Sequence, residues 1–468
     1  MQAGEGRLDR RTILALGVMG VAVLVIANDF TALTVALPAI EHDLDTELST
    51  AQWVINAYAL VFGVAIVSGG RLADMLGRRR VFVIGSVIFA VFSALGGAAQ
   101  DPIWLIASRA AMGIGGALMW PSILGMTYAI LPKSKAGVAG GLILGAAGLG
   151  NAIGPLVGGV LTEALSWRWI FFLNIPVAAI AIFLTLRVVP RDTPATDRLR
   201  LDYAGTTALS GGLVFLLLAL DQSSSWGWSD GRTIALLVAC PVLLVAFVFI
   251  ERRAGENALI PGDVIANKAF AMACLAVLLM SAVFFASLLF LPQFMTKALG
   301  FSALKAGAGL APMMVMFAAA SFTAGSLYGR LGPKLITSTG ALCIALGIFL
   351  LSLVDANNGY GALVPGMLIL GVGIGLFYST ITTVAITALD PSRSSLAGGI
   401  VYMFQIAGGA VGLGLNTAIV ASHAEATIGG LVDGIGQAFR LDAALAVLAL
   451  VIVVFAGRRV KPVPTEAS

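Results

Sequence analysis

Apolar residues in this chain gather in runs of about twenty, divided by short polar stretches, and the pattern holds from residue 13 to residue 457. A helix of that length crosses a hydrocarbon core of about 30 Å. The runs predict fourteen spans: 13–37, 51–69, 80–99, 103–131, 136–160, 169–189, 203–220, 233–250, 269–291, 305–328, 334–354, 361–386, 396–421 and 439–457. The expected fold class is an all-α integral membrane protein with a short N-terminal segment (1–12), a short C-terminal tail (458–468) and no sizeable soluble domain. The first apolar run follows MQAGEGRLDRRT and reaches Pro38 without a small-residue cleavage site, so it is expected to stay as a signal anchor.

Composition strengthens this reading. Of 468 residues, 59% are hydrophobic and 11% charged, against about 25% charged in soluble domains, and mean hydropathy is +0.98. Charge then sets orientation. With a cytoplasmic N-terminus, 22 of the 28 Lys and Arg residues fall on the inner side, five on the outer side and one, Arg109, within a span. The first outer loop, EHDLDTE, is acidic. Both termini are therefore expected in the cytoplasm of a cell with this protein in its inner (plasma) membrane. The net charge of +4 reflects topology rather than a nucleic-acid partner. Trp53, Trp104, Trp167, Trp169, Trp226 and Trp228 sit near the outer interface as an aromatic belt. Cys240, Cys274 and Cys343 lie inside apolar runs without metal-ligand spacing and read as packing residues.

The chain carries an internal repeat. After the second span stands Gly70-Arg-Leu-Ala-Asp-Met-Leu-Gly-Arg-Arg-Arg80, and after the tenth Gly325-Ser-Leu-Tyr-Gly-Arg-Leu-Gly-Pro-Lys334. Both copies share G-x-L at the start, Gly at the eighth position and a basic residue at the tenth. Two six-helix halves (13–189 and 269–457) would then flank an inserted helix pair (203–250), and carriers built of two halves rock one against the other around a midplane site.

Gly70, Asp74, Gly77, Arg78 and Arg79 resemble the signature loop of the major facilitator superfamily, and fourteen spans with an inserted pair resemble its drug:proton antiporter family of the EmrB/QacA type. The resemblance implies a major-facilitator fold of two six-helix bundles plus two extra helices, and a loop that clamps the cytoplasmic side when the carrier faces outward. A carboxylate at Asp74 accepts readily from arginines or from a helix N-terminus, and such a contact is able to form in one state and break in another. A basic loop that only fixes topology is the competing reading. The second copy departs from the signature, with Gly329 where the first has Asp74.

The fifth span reads GLILGAAGLGNAIGPLVGG over 141–159. By itself this predicts close helix packing and a bend at Pro155. The spacing of Gly141, Gly150, Gly154, Pro155, Gly158 and Gly159 resembles the antiporter motif of exporters in the superfamily, which implies outward transport.

Two ionisable residues are read clearly inside the spans, Asp29 and Arg109. Such residues cost about 2.5–3.5 kcal/mol at a helix centre on insertion scales, and they mark functional sites by default. Counted from the outer helix ends, they lie about 12 Å and about 9 Å deep, level enough to meet. Asn28-Asp29-Phe30-Thr31 with Ala36-Leu37-Pro38 resembles the family's first-span motif, with Thr34 where Asn is common. Leu105-x3-Arg109-x2-Met112-Gly113 resembles its fourth-span motif, with Met112 where Gln is usual. Burial and a neighbouring arginine pull a carboxyl in opposite directions, so a rearranging pair is able to switch a proton. A permanently ionised structural pair is the alternative. His42 and His423 both fall in outer loops, which leaves Asp29 as the main proton carrier expected.

Asn28, Thr31, Asn56, Tyr58, Met112, Asn151, Gln293, Phe294, Tyr378, Tyr402 and Gln405 are the residues expected to line a central cavity, each equally able to serve as a helix–helix contact. No acid is read inside the second-half spans, which favours hydrophobic or amphipathic, neutral or monocationic cargo over divalent cations. HExxH, GxSxG and Walker sequences are absent, so an enzyme is not expected. The reading is a proton-driven exporter of small lipophilic molecules, contacting membrane lipids, needing no cofactor and working as a monomer. A lipid carrier without proton coupling remains open beside it.

Overall fold

The structure is a computed structural model and describes residues 9–190, 202–255, 258–355, 358–423 and 428–456. The tail read at 458–468 lies outside the described residues, as does most of the N-terminal segment. Sixteen α-helices are described: α1 (Arg10–Asp43), α2 (Leu48–Leu76), α3 (Arg78–Gly97), α4 (Pro102–Ile130), α5 (Ala136–Ala164), α6 (Arg168–Val188), α7 (Tyr203–Trp226), α8 (Gly231–Ala254), α9 (Gly262–Ala266), α10 (Lys268–Lys297), α11 (Ala303–Gly309), α12 (Ala311–Leu331), α13 (Pro333–Leu351), α14 (Leu363–Thr387), α15 (Ser394–His423) and α16 (Ile428–Ala456). Fourteen stretches are long and apolar enough to cross a membrane. The short α11 and α12 share the tenth, read as one helix at 305–328, with Leu310 between them and Pro312 in the first turn of α12. Proline has no N–H to continue the preceding ladder.

Polar residues at the run boundaries start the helices. The Asp9 carboxylate accepts from Thr12 N at 2.9 Å, and the Thr12 bonds hold its carboxyl below the ordinary carboxylate range. Asp101 accepts from Trp104 N ahead of Pro102, Asp202 from Gly205 N and Asn267 from Phe270 N. Each supplies an acceptor to a first-turn N–H that has no partner inside its own helix.

The repeat is visible in the backbone. Gly77 joins α2 to α3 at φ 97°, and Gly332 joins α12 to α13 at φ 76°. These are the eighth positions of the two loop copies, and L side chains rarely adopt that region.

In the first bundle α2 and α3 pack on α4, α5 on α1, and α6 on α1 and α3. In the second, α14 packs on α12 and α13, and α10 packs on α15 and α16. The bundles meet along α5 against α12 and along α2 against α15. The inserted helices α7 and α8 pack on each other, and α7 lies against both α2 and α15, covering that second seam.

Candidate functional site

Asp29 on α1 and Arg109 on α4 meet inside the first bundle, Arg109 Nη1 donating to Asp29 Oδ2 at 2.6 Å with both side chains fully buried. Asn174 Nδ2 donates to Asp29 Oδ1 at 2.8 Å and lies 3.2 Å from Ser93 Oγ. Arg109 Nε donates to the Val54 carbonyl at 2.8 Å, and the guanidinium lies over the Tyr58 ring at 4.3 Å. Its Nη2 is buried without a hydrogen-bond partner. The Met112 sulfur lies 3.8 Å from Nη1, and a thioether is at best a weak acceptor. The guanidinium is therefore neutralised by one carboxylate and left with both Nη2 N–H groups unpaired, so moving Asp29 away would strand a buried cation.

Asn174 was not singled out from sequence. Its signal is an amide two residues before Pro176 in an otherwise apolar span, which needs a partner wherever it is buried.

The loop after α2 forms a second site, at the end of the bundle where α1 begins; this end carries most of the chain's Lys and Arg and is called the basic end below. Asp74 Oδ2 accepts from Leu396 N at 2.8 Å and Oδ1 from Ser395 N at 3.3 Å, so its carboxylate caps the first turn of α15. Arg78 Nε donates to the same Oδ1 at 3.2 Å, Nη1 to the Gly125 carbonyl at 3.1 Å and Nη2 to the Pro391 carbonyl at 2.6 Å. Arg79 turns back to the end of α6, donating to the Leu186 and Val189 carbonyls. A Cβ on Gly70 would stand 2.6 Å from the Ser395 carbonyl oxygen. Tyr128 and Thr383 hydroxyls, 2.9 Å apart, add to the junction. The loop thus ties one bundle to the other at this end.

The glycines of α5 divide between two neighbours. Gly150, Gly154 and Gly158 face α1, where a Cβ would come within 2.5 Å of Leu24 O, 1.9 Å of Thr31 Oγ1 and 2.2 Å of Ala32 O. Gly141 faces the other bundle, 2.8 Å from Ser321 O by the same measure, and Gly159 lies against Leu304 at 2.8 Å. Pro155 stands near Gly307.

The expected cavity residues fall into separate groups. Tyr58 and Met112 belong to the shell of Arg109. Thr31 bonds back to its own helix under Gly154, and the buried Asn28 keeps an unpartnered Oδ1. Asn56 donates to Asp221 of α7 at 2.7 Å. Tyr378 is buried in the second bundle, its hydroxyl 2.9 Å from Ser281 Oγ, and Phe294 is buried in α10. Tyr402 lies between the bundles, 5.4 Å from the Phe62 ring and 4.8 Å from that of Trp120. Gln405, Asn151 and Gln293 are half-buried. Trp120 is absent from the residues expected from sequence; it is the one tryptophan outside the expected outer belt, and its buried Nε1 has no partner.

The count of two intramembrane ionisable residues, and the reading that the second-half spans hold no acid, both need correction. The last span was read from 439, leaving Asp442 at its outer rim, whereas α16 begins at Ile428 and Asp442 is fully buried. The moderately polar turns before 439 continue the helix and carry Asp442 inside.

A family profile described as Major Facilitator Superfamily matches residues 19–413 and again 273–468. The chain is 34% identical over 465 residues to the puromycin resistance protein pur8 of Streptomyces alboniger, covering 95% of this chain and 92% of that one. It is 33% identical to the cephamycin export protein CmcT of Amycolatopsis lactamdurans (89% and 87% covered), and 32% identical to the multidrug transporter protein MdtP of Bacillus subtilis (strain 168) (89% and 76% covered). The solved structure of the human organic anion transporter MFSD10 (TETRAN) superposes with a TM-score of 0.66 at 14% identity, covering 94% of this chain and 99% of that one.

Proposed function

The chain belongs to the major facilitator superfamily, and from that premise we propose that it exports hydrophobic or amphipathic small molecules of the antibiotic and drug class in exchange for protons. Relatives named for puromycin resistance, cephamycin export and multidrug transport support the cargo class. The observation that carries the proton half is the sealed Asp29–Arg109 pair, whose guanidinium has a buried Nη2 without a hydrogen-bond partner. A proton on Asp29 removes the counter-charge of Arg109, and an unpaired buried charge is costly enough to drive rearrangement. With the basic end in the cytoplasm, the closed contacts of Asp74 and Arg78 belong to the half of the cycle in which the cytoplasmic side is shut. Cargo leaves and a proton enters from the outer side; opening the clamp then releases that proton to the cytoplasm and admits the next molecule from within.

The test uses purified protein in liposomes loaded with a pH-sensitive dye, an imposed proton gradient and a panel of lipophilic antibiotics. Particular compounds are expected to trigger proton movement in wild type and not in Asp29→Asn; compound flux without proton movement in wild type would remove the antiport reading.

A second reading is a carrier of lipids or other amphiphiles without protons. It is favoured by an apolar cleft of 430 Å³ lined by Ile13 and Leu16 of α1, Val138 and Leu142 of α5 and Phe322 of α12. Labelled lipid crossing liposomes with no dependence on pH gradient or Asp29 would select it.

A further inference from the structure

The second bundle holds an acid–amide pair that the proposed cycle does not use. Asp442 on α16 and Asn416 on α15 are both fully buried. Asn416 Nδ2 lies 3.0 Å from Oδ1 and 3.1 Å from Oδ2 of Asp442, while Asn416 Oδ1 is buried with no partner.

The repeat identifies the position. Phe171-x-Leu-Asn174-x3-Ala178-x2-Ala181 of α6 aligns without gaps with Phe439-x-Leu-Asp442-x3-Ala446-x2-Ala449 of α16, and the Phe, polar and Ala positions are buried in both. These are the sixth helices of their bundles. Asp442 is thus the counterpart of Asn174, and each bundle pairs a carboxyl with an amide. The bundles differ in the cation: Asp29 has Arg109, whereas Asp442 forms no ion pair among the described residues.

The ionisable residues on the helices packed around α16 do not replace it. On α10 these are Lys268 and Lys297, at its two ends, and Cys274; on α13, Lys334 in the first turn and Cys343; on α15, Tyr402 and His423, the latter in the last turn. On α16 itself Asp433 and Arg440 are exposed. A carboxylate at 442 would be an anion inside apolar protein with a single amide facing it, a costly arrangement. A neutral acid supplies the missing donor: its O–H reaches Asn416 Oδ1 while Asn416 Nδ2 donates to the other carboxyl oxygen, satisfying every polar atom of the pair.

We propose that Asp442 and Asn416 form a second proton-binding site, separate from Asp29, in which a proton taken up from water is held between Asp442 and Asn416 Oδ1. Uptake converts the carboxylate to the acid and removes one negative charge from the bundle; release restores it. Helix α15 connects this site to the clamp, since its first-turn N–H groups are those held by Asp74. Gaining or losing the proton changes the grip between α15 and α16, and with it the helix that Asp74 caps.

The test is infrared difference spectroscopy of the full-length protein in lipid, stepped between alkaline and neutral buffer. Wild type is expected to show at neutral pH the carbonyl stretch of a neutral carboxylic acid, sensitive to deuterium exchange, retained in Asp29→Asn and lost in Asp442→Asn. In Asn416→Leu the band should move to higher frequency, because its hydrogen-bond partner is gone. A wild-type spectrum without the band, or a band that survives Asp442→Asn, overturns the proposal. If Asp442→Asn does not fold, the Asn416→Leu shift decides, and an unmoved band overturns the pairing. Failure of proton-coupled export at Asp29 leaves this readout unchanged, so the two ideas fall separately.

Discussion

Asp74 of α2 caps α15 of the opposite bundle, its Oδ2 2.8 Å from Leu396 N. A carboxylate at a helix N-terminus is stabilised by the first-turn N–H groups and the helix dipole, and the contact exists only while the bundles are closed at the basic end. This one pair therefore joins the two bundles, and Arg78 reinforces it by donating to both Asp74 and the Pro391 carbonyl.

Asp74→Asn should shift the resting population toward an open basic end. Hydrogen bonds to a charged group contribute about 1.5–3 kcal/mol, so the closed fraction should fall by roughly tenfold or more relative to the open one. Spin labels at the exposed positions Leu76 and Ser392 would report it as a longer distance component; an unchanged distribution would show that the clamp does not depend on this carboxylate.

Asp29→Asn should destabilise the fold by about 3–5 kcal/mol, because Arg109 is left as an uncompensated buried cation. Adding Arg109→Met should recover most of that loss while proton coupling stays absent. Thermal unfolding in detergent measures the first effect and dye-loaded liposomes the second. A single variant as stable as wild type would mean that the pair is more hydrated than its burial implies.

Gly141→Ala should slow transport sharply, since its Cβ would meet the Ser321 carbonyl oxygen at 2.8 Å across the bundle seam. Gly329→Ala, where no atom lies within 4 Å, should transport like wild type. Equal rates for the two variants would argue against tight closure of α5 on α12.

Tyr402→Ala should raise KM for aromatic cargo by about tenfold while leaving proton-driven turnover of non-aromatic cargo near wild type, given that an aromatic contact contributes about 0.5–1.5 kcal/mol beyond its buried area. Loss of all transport would assign Tyr402 to bundle packing against Phe62 and Trp120 rather than to cargo. Initial-rate uptake into inverted vesicles separates KM from turnover.

Gly77→Ala and Gly332→Ala should each destabilise by about 1 kcal/mol or more, because both positions hold positive φ and a Cβ is strained there. Matching losses in thermal stability would confirm that the two loop copies share a turn; a neutral result at either would show that the turn relaxes.

The sequence by itself determined the membrane spans, their number and the duplication. Hydrocarbon thickness sets the length of each apolar run, and the boundary carboxylates and amides stand where unpaired helix N–H groups need acceptors. The eighth-position glycines revealed the repeated turn because few other residues adopt its backbone. Asp29 and Arg109 were legible as functional residues because charge inside a span is costly, and their similar depth made a meeting possible. Which groups complete each site was decided only by tertiary structure. Asp29 finds Arg109 across 80 residues and Asn174 across 145, separations that no periodicity encodes. Asp442 was passed over in a span started at 439 by hydropathy alone; the packing of α16 on α10, α13 and α15 buried it. The glycines of α5 likewise promised close approach without saying to what, since a missing side chain specifies room and only the neighbouring helix decides who fills it.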